Sequence, residues 1–180
     1  MNDSGILGLC LLGALLGAST SCVFGEKCSE KHPETPSSGA ELLSAQVEAE
    51  LSRLLDDFHD AAASADEERY FAHFAPDAVF VGTDATERWT LDEFRAYAHP
   101  HFEAGRGWSY RASSRNITVA PGGDVAWFDE RLANAKYGEL RGSGVWSRHA
   151  AGWRLRQYVL SFAVPNELAV DFAERVRAAR

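Results

Sequence analysis

Two adjacent carboxylates, Asp129 and Glu130, fall in a run of alternating character, Ala126-Trp127-Phe128-Asp129-Glu130-Arg131-Leu132. Along a strand, successive side chains point to opposite faces. Arg131 marks the wet face and takes Trp127 and Asp129 with it. Ala126, Phe128, Glu130 and Leu132 then face the covered side. A carboxylate desolvated between Phe128 and Leu132 becomes a better base near neutrality. Glu130 is therefore the candidate catalytic residue, with Asp129 in its place if the register slips by one. The same residues admit a structural reading. Glu130 would then pair with Arg88 or Arg141 as a buried ion pair, and Asp129 with Arg131 or Arg154 on the outer face.

Other chemistries find little support. The formal charge of −8 argues against nucleic acid, whose phosphates need a basic face. Cys10, Cys22 and Cys28 all lie in the first 28 residues, so the rest of the chain has no disulfide framework, cysteine metal site or cysteine nucleophile. His99-Pro100-His101 offers two imidazoles without a third donor nearby in sequence, and a metal needs three or four. There is no serine-nucleophile motif, phosphate loop or dinucleotide fingerprint. The expectation is a site without metal or cofactor.

The elements that must position Glu130 are legible from periodicity. The stretch 124–162 holds runs rich in Val, Leu, Trp, Phe and Tyr, broken by turn signals at Lys136-Tyr137-Gly138-Glu139 and Ala150-Ala151-Gly152. This predicts an antiparallel meander. A further strand is predicted over 107–119. Arg111 and Arg115 share a parity there and are expected outward, with Trp108, Tyr110 and Ala112 inward. In the last strand Arg154 and Arg156 mark the outside, which places Trp153, Leu155, Gln157, Val159 and Ser161 inside. Gly142 and Gly144 leave the parity of the strand 139–148 open.

Ahead of the meander, Leu43, Val47, Leu51, Leu54, Leu55, Phe58 and Ala62 recur at helical spacing between Glu41 and Ala63, with His59 beside the stripe as a partly exposed surface residue. Ser64-Ala65-Asp66-Glu67 and Thr90-Leu91-Asp92-Glu93 read as capping boxes that start two further helices. Pro76-Asp77 ends the first of these and Pro100 kinks or ends the second. Between them Ala78 to Gly82 is a short strand. After Pro165, Asn166 is placed to cap a last helix bearing Leu168, Phe172 and Val176, packed outside the sheet or against a partner subunit.

This α+β order resembles the nuclear transport factor 2-like superfamily, specifically its SnoaL-like branch. The match is carried by Phe58-His59-Asp60-Ala61-Ala62, by the run from Tyr70 to Phe80, by Gly82-Thr83-Asp84 and by Gly152 to Ser161. It covers about residues 41–162. The resemblance implies a cone: a strongly curved antiparallel sheet wrapped over three N-terminal helices, here with an extra C-terminal helix, often dimerising through the convex side. Members include isomerases, cyclases, dehydratases and epoxide hydrolases, and others only bind ligands or proteins, so the fold does not choose among them. Ketosteroid isomerase, a superfamily enzyme and a standard example of tuned carboxyl groups, uses them in an apolar cavity for proton transfer. By analogy Glu130 or Asp129 would move a proton on a carbonyl compound. Asp84, His101, Tyr110, Gln157 and Ser161 would orient it, and Trp89, Trp108 and Trp153, with Tyr97 and Phe128, would wall the pocket. Three functions stay open: a binder of a small apolar or carbonyl-containing molecule, a cofactor-free acid–base enzyme, and a dimeric interaction module whose cone is filled by side chains.

The N-terminal stretch is a separate matter. Residues 4–25 carry no charge, and Ile6 to Leu16 is rich in Leu, Gly and Ala, followed by small residues to Ser21. This is the layout of a secretory signal over 1–21. Cys22 after Ser19-Thr20-Ser21 resembles the lipidated cysteine of bacterial lipoproteins, although Ser19 stands where Leu is usual and the first residues lack Lys or Arg. A retained membrane anchor is the alternative, since Ile6 to Phe24 is long enough to span a bilayer. The polar segment 22–40, with Pro33 and Pro36, reads as a flexible tether to a domain over 41–164 and a terminal helix over 165–180. The expected location is the bacterial envelope or periplasm, with membrane contact only through this N-terminal segment.

Overall fold

A computed structural model describes residues 39–179. The expected signal, Cys22 and the tether up to residue 38 lie outside the described residues. The elements run α1 (Gly39–Ala63), α2 (Glu67–Ala72), β1 (Phe74–Val81), β2 (Arg88–Thr90), α3 (Leu91–Glu103), β3 (Arg111–Val119), β4 (Val125–Asn134), β5 (Gly138–His149), β6 (Gly152–Phe162), a 3-10 turn (Asn166–Leu168) and α4 (Ala169–Ala178). The strands form one curved, open sheet in the order β2-β1-β6-β5-β4-β3. The meander β3 to β6 is antiparallel throughout, while β1 pairs with β6 in parallel, so the sheet is mixed.

The helical roof follows the apolar stripe. Leu51, Leu55, Phe58 and Ala62 of α1 are fully buried, whereas Leu42 and Leu43 at its start are exposed. They pack with Phe71, Phe74 and Phe94 and with the inward row of the meander, which includes Ala126, Phe128, Leu132, Leu140 and Trp146. Local signals at helix ends were resolved unequally. Thr90 and Glu93 form the reciprocal capping box expected of them. At α2 the cap is Asp66, whose side chain accepts from the Arg69 N–H, while the Ser64 hydroxyl turns back to the Asp60 carbonyl. Pro100 lies inside α3, which continues to Glu103. Helix α2 ends at Ala72, before Pro76, which sits within β1. Asn166 begins the 3-10 turn and does not cap α4, whose side chains are all at least partly exposed.

Two bulges reset the expected parities. Ala112 faces Leu132 and Ser114 faces Arg131, leaving Ser113 as an extra residue in β3. Beyond it Arg115, Ile117 and Val119 turn to the covered side. In β6, Leu155 pairs with Trp146 and Gln157 with Val145, leaving Arg156 as the extra residue. Tyr158 and Leu160 therefore point inward, while Gln157, Val159 and Ser161 point out. Both corrections have one physical cause: an inserted residue exchanges the faces of everything after it.

Candidate functional site

The covered face of the sheet and the helices enclose a cavity of about 310 Å³. Two glycines of β5 clear space for the groups behind it. A β-carbon on Gly142 would lie 2.5 Å from the Tyr158 hydroxyl and 3.1 Å from Glu130 Oε1, so absence of a side chain there makes room for both groups. A β-carbon on Gly144 would lie 2.3 Å from the Gln157 carbonyl and 2.9 Å from the Phe128 ring. Gly107 performs the same service at the roof. A β-carbon there would meet the Ala62 carbonyl at 1.8 Å, so only glycine lets this segment cross the end of α1 and deliver Trp108 to the cavity.

Glu130 is fully buried and does not itself line the cavity. Its Oε1 lies 2.6 Å from His59 Nε2, and its Oε2 accepts from Arg115 Nε at 2.9 Å. The Arg115 Nη1 group reaches on to the Ser52 carbonyl, the Ser52 hydroxyl and Asp56 Oδ1, at 2.8 to 2.9 Å. Side-chain exposure rises along this chain from 0 % at Glu130 to 8 % at His59, 11 % at Arg115 and 69 % at Asp56. The network thus carries a buried carboxylate's charge balance out to solvent. A buried carboxylate without such a partner would be strongly unfavourable.

The bonding also assigns the imidazole. Glu130, ionised beside Arg115, only accepts, so His59 Nε2 carries the hydrogen. In the neutral ring Nδ1 then holds a lone pair, and among the described residues it has no hydrogen-bond partner. His59 lines the cavity. The result is a base held in one tautomer by a carboxylate, on a residue that lines the cavity.

Phenols supply the complementary donors. Tyr158 and Tyr70 line the cavity and are buried. Burial pushes both phenols well above their ordinary pKa, with the negative Glu130 adding to the effect at Tyr158 and the hydrogen-bonding indole of Trp108 opposing it at Tyr70. Both remain protonated donors at any working pH.

The sequence-derived site residues divide. Trp89, Tyr97, Trp108 and Tyr110 line the cavity. Phe128 and Trp153 are core residues that do not reach it. Asp84 is exposed in the loop between β1 and β2, where it accepts from Thr86, and its neighbours Thr83 and Glu87 line the mouth instead. His101 stands outside, its ring 5.5 Å from that of Tyr97. Gln157 and Ser161 are on the outer face for the reason given above. Asp129 is also outside, bonded by Asn116 Nδ2 at 3.1 Å rather than by Arg131 or Arg154. Glu130 pairs with neither Arg88 nor Arg141. Among the described residues no three potential metal donors converge, and His99 bonds Glu67 at 2.7 Å.

The strongest departure is His59, expected at the surface and found in the site. The signal was present: His59 lies four residues after Leu55 and three before Ala62, on the flank of the buried stripe. Arg115 had no such signal, because the bulge at Ser113 is invisible in the alternation. Tyr158 was hidden by the bulge in β6 in the same way.

A family profile for the SnoaL-like domain matches residues 51–165. The chain belongs to the SnoaL-like family. Solved structures support the same fold. A nuclear transport factor 2-like protein of unknown function from Pseudomonas putida KT2440 superposes with a TM-score of 0.58 at 16% identity, covering 69% of this chain and 92% of that one. A candidate dehydratase of that superfamily from Streptomyces avermitilis gives 0.57 at 13% identity, over 68% and 99% of the two chains. A candidate ketosteroid isomerase from Parabacteroides distasonis gives 0.52 at 16% identity, over 64% and 86%. No curated protein matches the sequence. At these identities the structures speak for the fold of this SnoaL-like domain and not for its chemistry.

Proposed function

We propose that this SnoaL-like protein binds a small, largely apolar carbonyl compound in the cone and moves a proton on it, with His59 as the base. The observation that carries this reading is the 2.6 Å bond from His59 to a fully buried, arginine-balanced Glu130 at the edge of an aromatic-lined cavity. His59 Nδ1 takes a proton from the carbon next to the carbonyl. The Tyr158 and Tyr70 phenols donate to the oxygen on which negative charge develops. Return of the proton to another carbon gives an isomerase. Its delivery to a leaving hydroxyl gives a dehydratase. The names attached to the Streptomyces avermitilis and Parabacteroides distasonis proteins fall in these two classes. Glu130 acts through His59 and is a positioning residue, in place of the direct base expected from its sequence setting. Binding without turnover is the simpler alternative, supported by the cavity alone.

Deuterium exchange separates the two. A flat bicyclic ketone such as 2-tetralone, shown first to bind, is incubated in D2O with protein, and incorporation beside the carbonyl is followed by NMR. Wild type should exceed the buffer rate by at least about 100-fold, the usual scale of a positioned base. His59→Gln should abolish the excess, and Glu130→Gln should lower it and shift its pH profile. Binding with no exchange above buffer would leave the binder alone.

The same proposal includes export through the segment 1–21, supported by its uncharged apolar core, with Cys22 as the candidate lipidation site. Mass spectrometry of the mature N-terminus tests it, and an intact Met1 would overturn it. It also includes a homodimer through the convex face, supported by the exposed Trp127 beside Val145.

A further inference from the structure

Every tyrosine of the chain lines this one cavity: Tyr70, Tyr97, Tyr110, Tyr137 and Tyr158. Against five phenols and the imidazole of His59 stands, among the described residues, one carboxylate, that of Glu87, and no lysine or arginine of the described residues lines the cavity. Glu87 is held there by its loop. Its Oε2 accepts from the Asp84 N–H at 3.1 Å, and a β-carbon on Gly82 would lie 2.2 Å from that oxygen, so the carboxylate folds over a glycine. Arg115 does not line the cavity, and its Nε and Nη1 groups are taken by Glu130 and Asp56. Lys136 is exposed, 4.8 Å from the Tyr137 ring centre, where solvent screens it.

Ring orientation gives the shape of the occupant. From the half-exposed Tyr97 inward, the pairs Tyr97–Trp89, Trp89–Phe94, Phe94–Phe80 and Phe80–Tyr158 are inclined by only 22°, 11°, 15° and 21°. A flat ring entering in that orientation meets offset aromatic partners at each depth. The volume is at the lower end of small-molecule pockets, roughly 300 to 1,000 Å³.

We propose that the cavity is a charge filter that admits an uncharged, flat, oxygen-bearing ring compound and rejects anions, with Glu87 at the mouth as the specificity-determining residue. Phenol hydroxyls hydrogen-bond a carbonyl or hydroxyl at no charge cost. A carboxylate would instead be desolvated with no lysine or arginine among the described lining residues to meet it and a like charge at the entrance. The proposal rests on reading the cavity as a ligand site, and not on proton transfer in it.

Three probes with one ring system test it by tryptophan fluorescence at neutral pH: 2-naphthol, 2-naphthoate and (2-naphthylmethyl)trimethylammonium. 2-Naphthol should bind at least about tenfold tighter than 2-naphthoate, the scale of one unfavourable charge contact. Glu87→Gln, which keeps the amide-accepting oxygen, should narrow that ratio several-fold. Naphthoate binding as tightly as naphthol overturns the filter. Tightest binding of the ammonium probe overturns the uncharged class in favour of a cation cage. Failure of all three to bind overturns the flat-ring occupant. A wild type that discriminates as expected yet fails the deuterium exchange test sinks only the proton-transfer reading.

Discussion

At the scale of single residues, the site depends on a buried carboxylate whose charge is answered twice, by His59 and by Arg115. Arg115→Met removes one answer and leaves Glu130 without its cation in a water-free place. The expected cost is about 3 to 5 kcal/mol in urea unfolding. The double change Arg115→Met with Glu130→Leu should recover most of it, because an apolar pair of similar volume has no desolvation penalty. A loss below about 1 kcal/mol in the single variant would mean that Glu130 is not held ionised by Arg115. How legible these residues were follows from geometry. The inward position of Glu130 could be read because β4 alternates without interruption between Phe128 and Leu132. Its partners could not. His59 carried a signal of its place on the flank of the buried stripe but none of the strand it would meet, and Arg115 lies beyond a bulge that leaves no mark in the alternation.

Among the elements, the joint between α1 and α2 carries a titrating group. His73 is buried after α2, with Nδ1 at 2.9 Å from the Arg69 carbonyl and Nε2 at 3.0 Å from Asp57 of α1. Burial pushes the imidazole below its ordinary value, and the Asp57 carboxylate opposes this. Burial wins because Asp57 is half exposed and is shared with Arg69 at 3.2 Å. A histidine whose folded pKa is depressed contributes stability that is present above the unfolded value, about 6.5, and is lost as pH falls through the folded one. Thermal melts of wild type and His73→Gln should therefore converge as pH is lowered from neutrality below about 6, since the glutamine does not titrate. A difference that widens in acid would show that Asp57 dominates instead, and one that stays constant would show that burial and Asp57 cancel. Helix and strand order were readable here because 3.6-residue and two-residue periods are long-range averages. Ends were not. Thr90–Glu93 formed its box, but Ser64 lost the equivalent role to Asp66, since several polar residues near a helix start compete for the same free N–H groups.

For the molecule as a whole, the outer face of the sheet carries an exposed aromatic. The inward faces of β4, β5 and β6 are filled by core residues, yet Trp127 points away from them and is 48 % exposed, directly opposite Val145 on the next strand. A large aromatic left half exposed forgoes the burial that Trp146 and Trp153 obtain, and Trp is among the residue types enriched at interface hot spots. The polar neighbours Asp129, Asn116 and Arg131 would form the rim of such a patch, Asp129 and Asn116 already bonded to each other and Arg131 to Glu139. If two copies meet here, Trp127 of each is buried by the other, and the change Trp127→Arg places a charge in that contact. Sedimentation velocity should then show wild type as a dimer and Trp127→Arg as a monomer with unchanged far-UV circular dichroism. The cavity opens on the opposite side of the sheet, so probe binding per chain should survive the change. A wild type that sediments as a monomer at tens of micromolar (an interface of ordinary size forms well below that) would leave Trp127 without a partner copy and remove the dimer from the proposal.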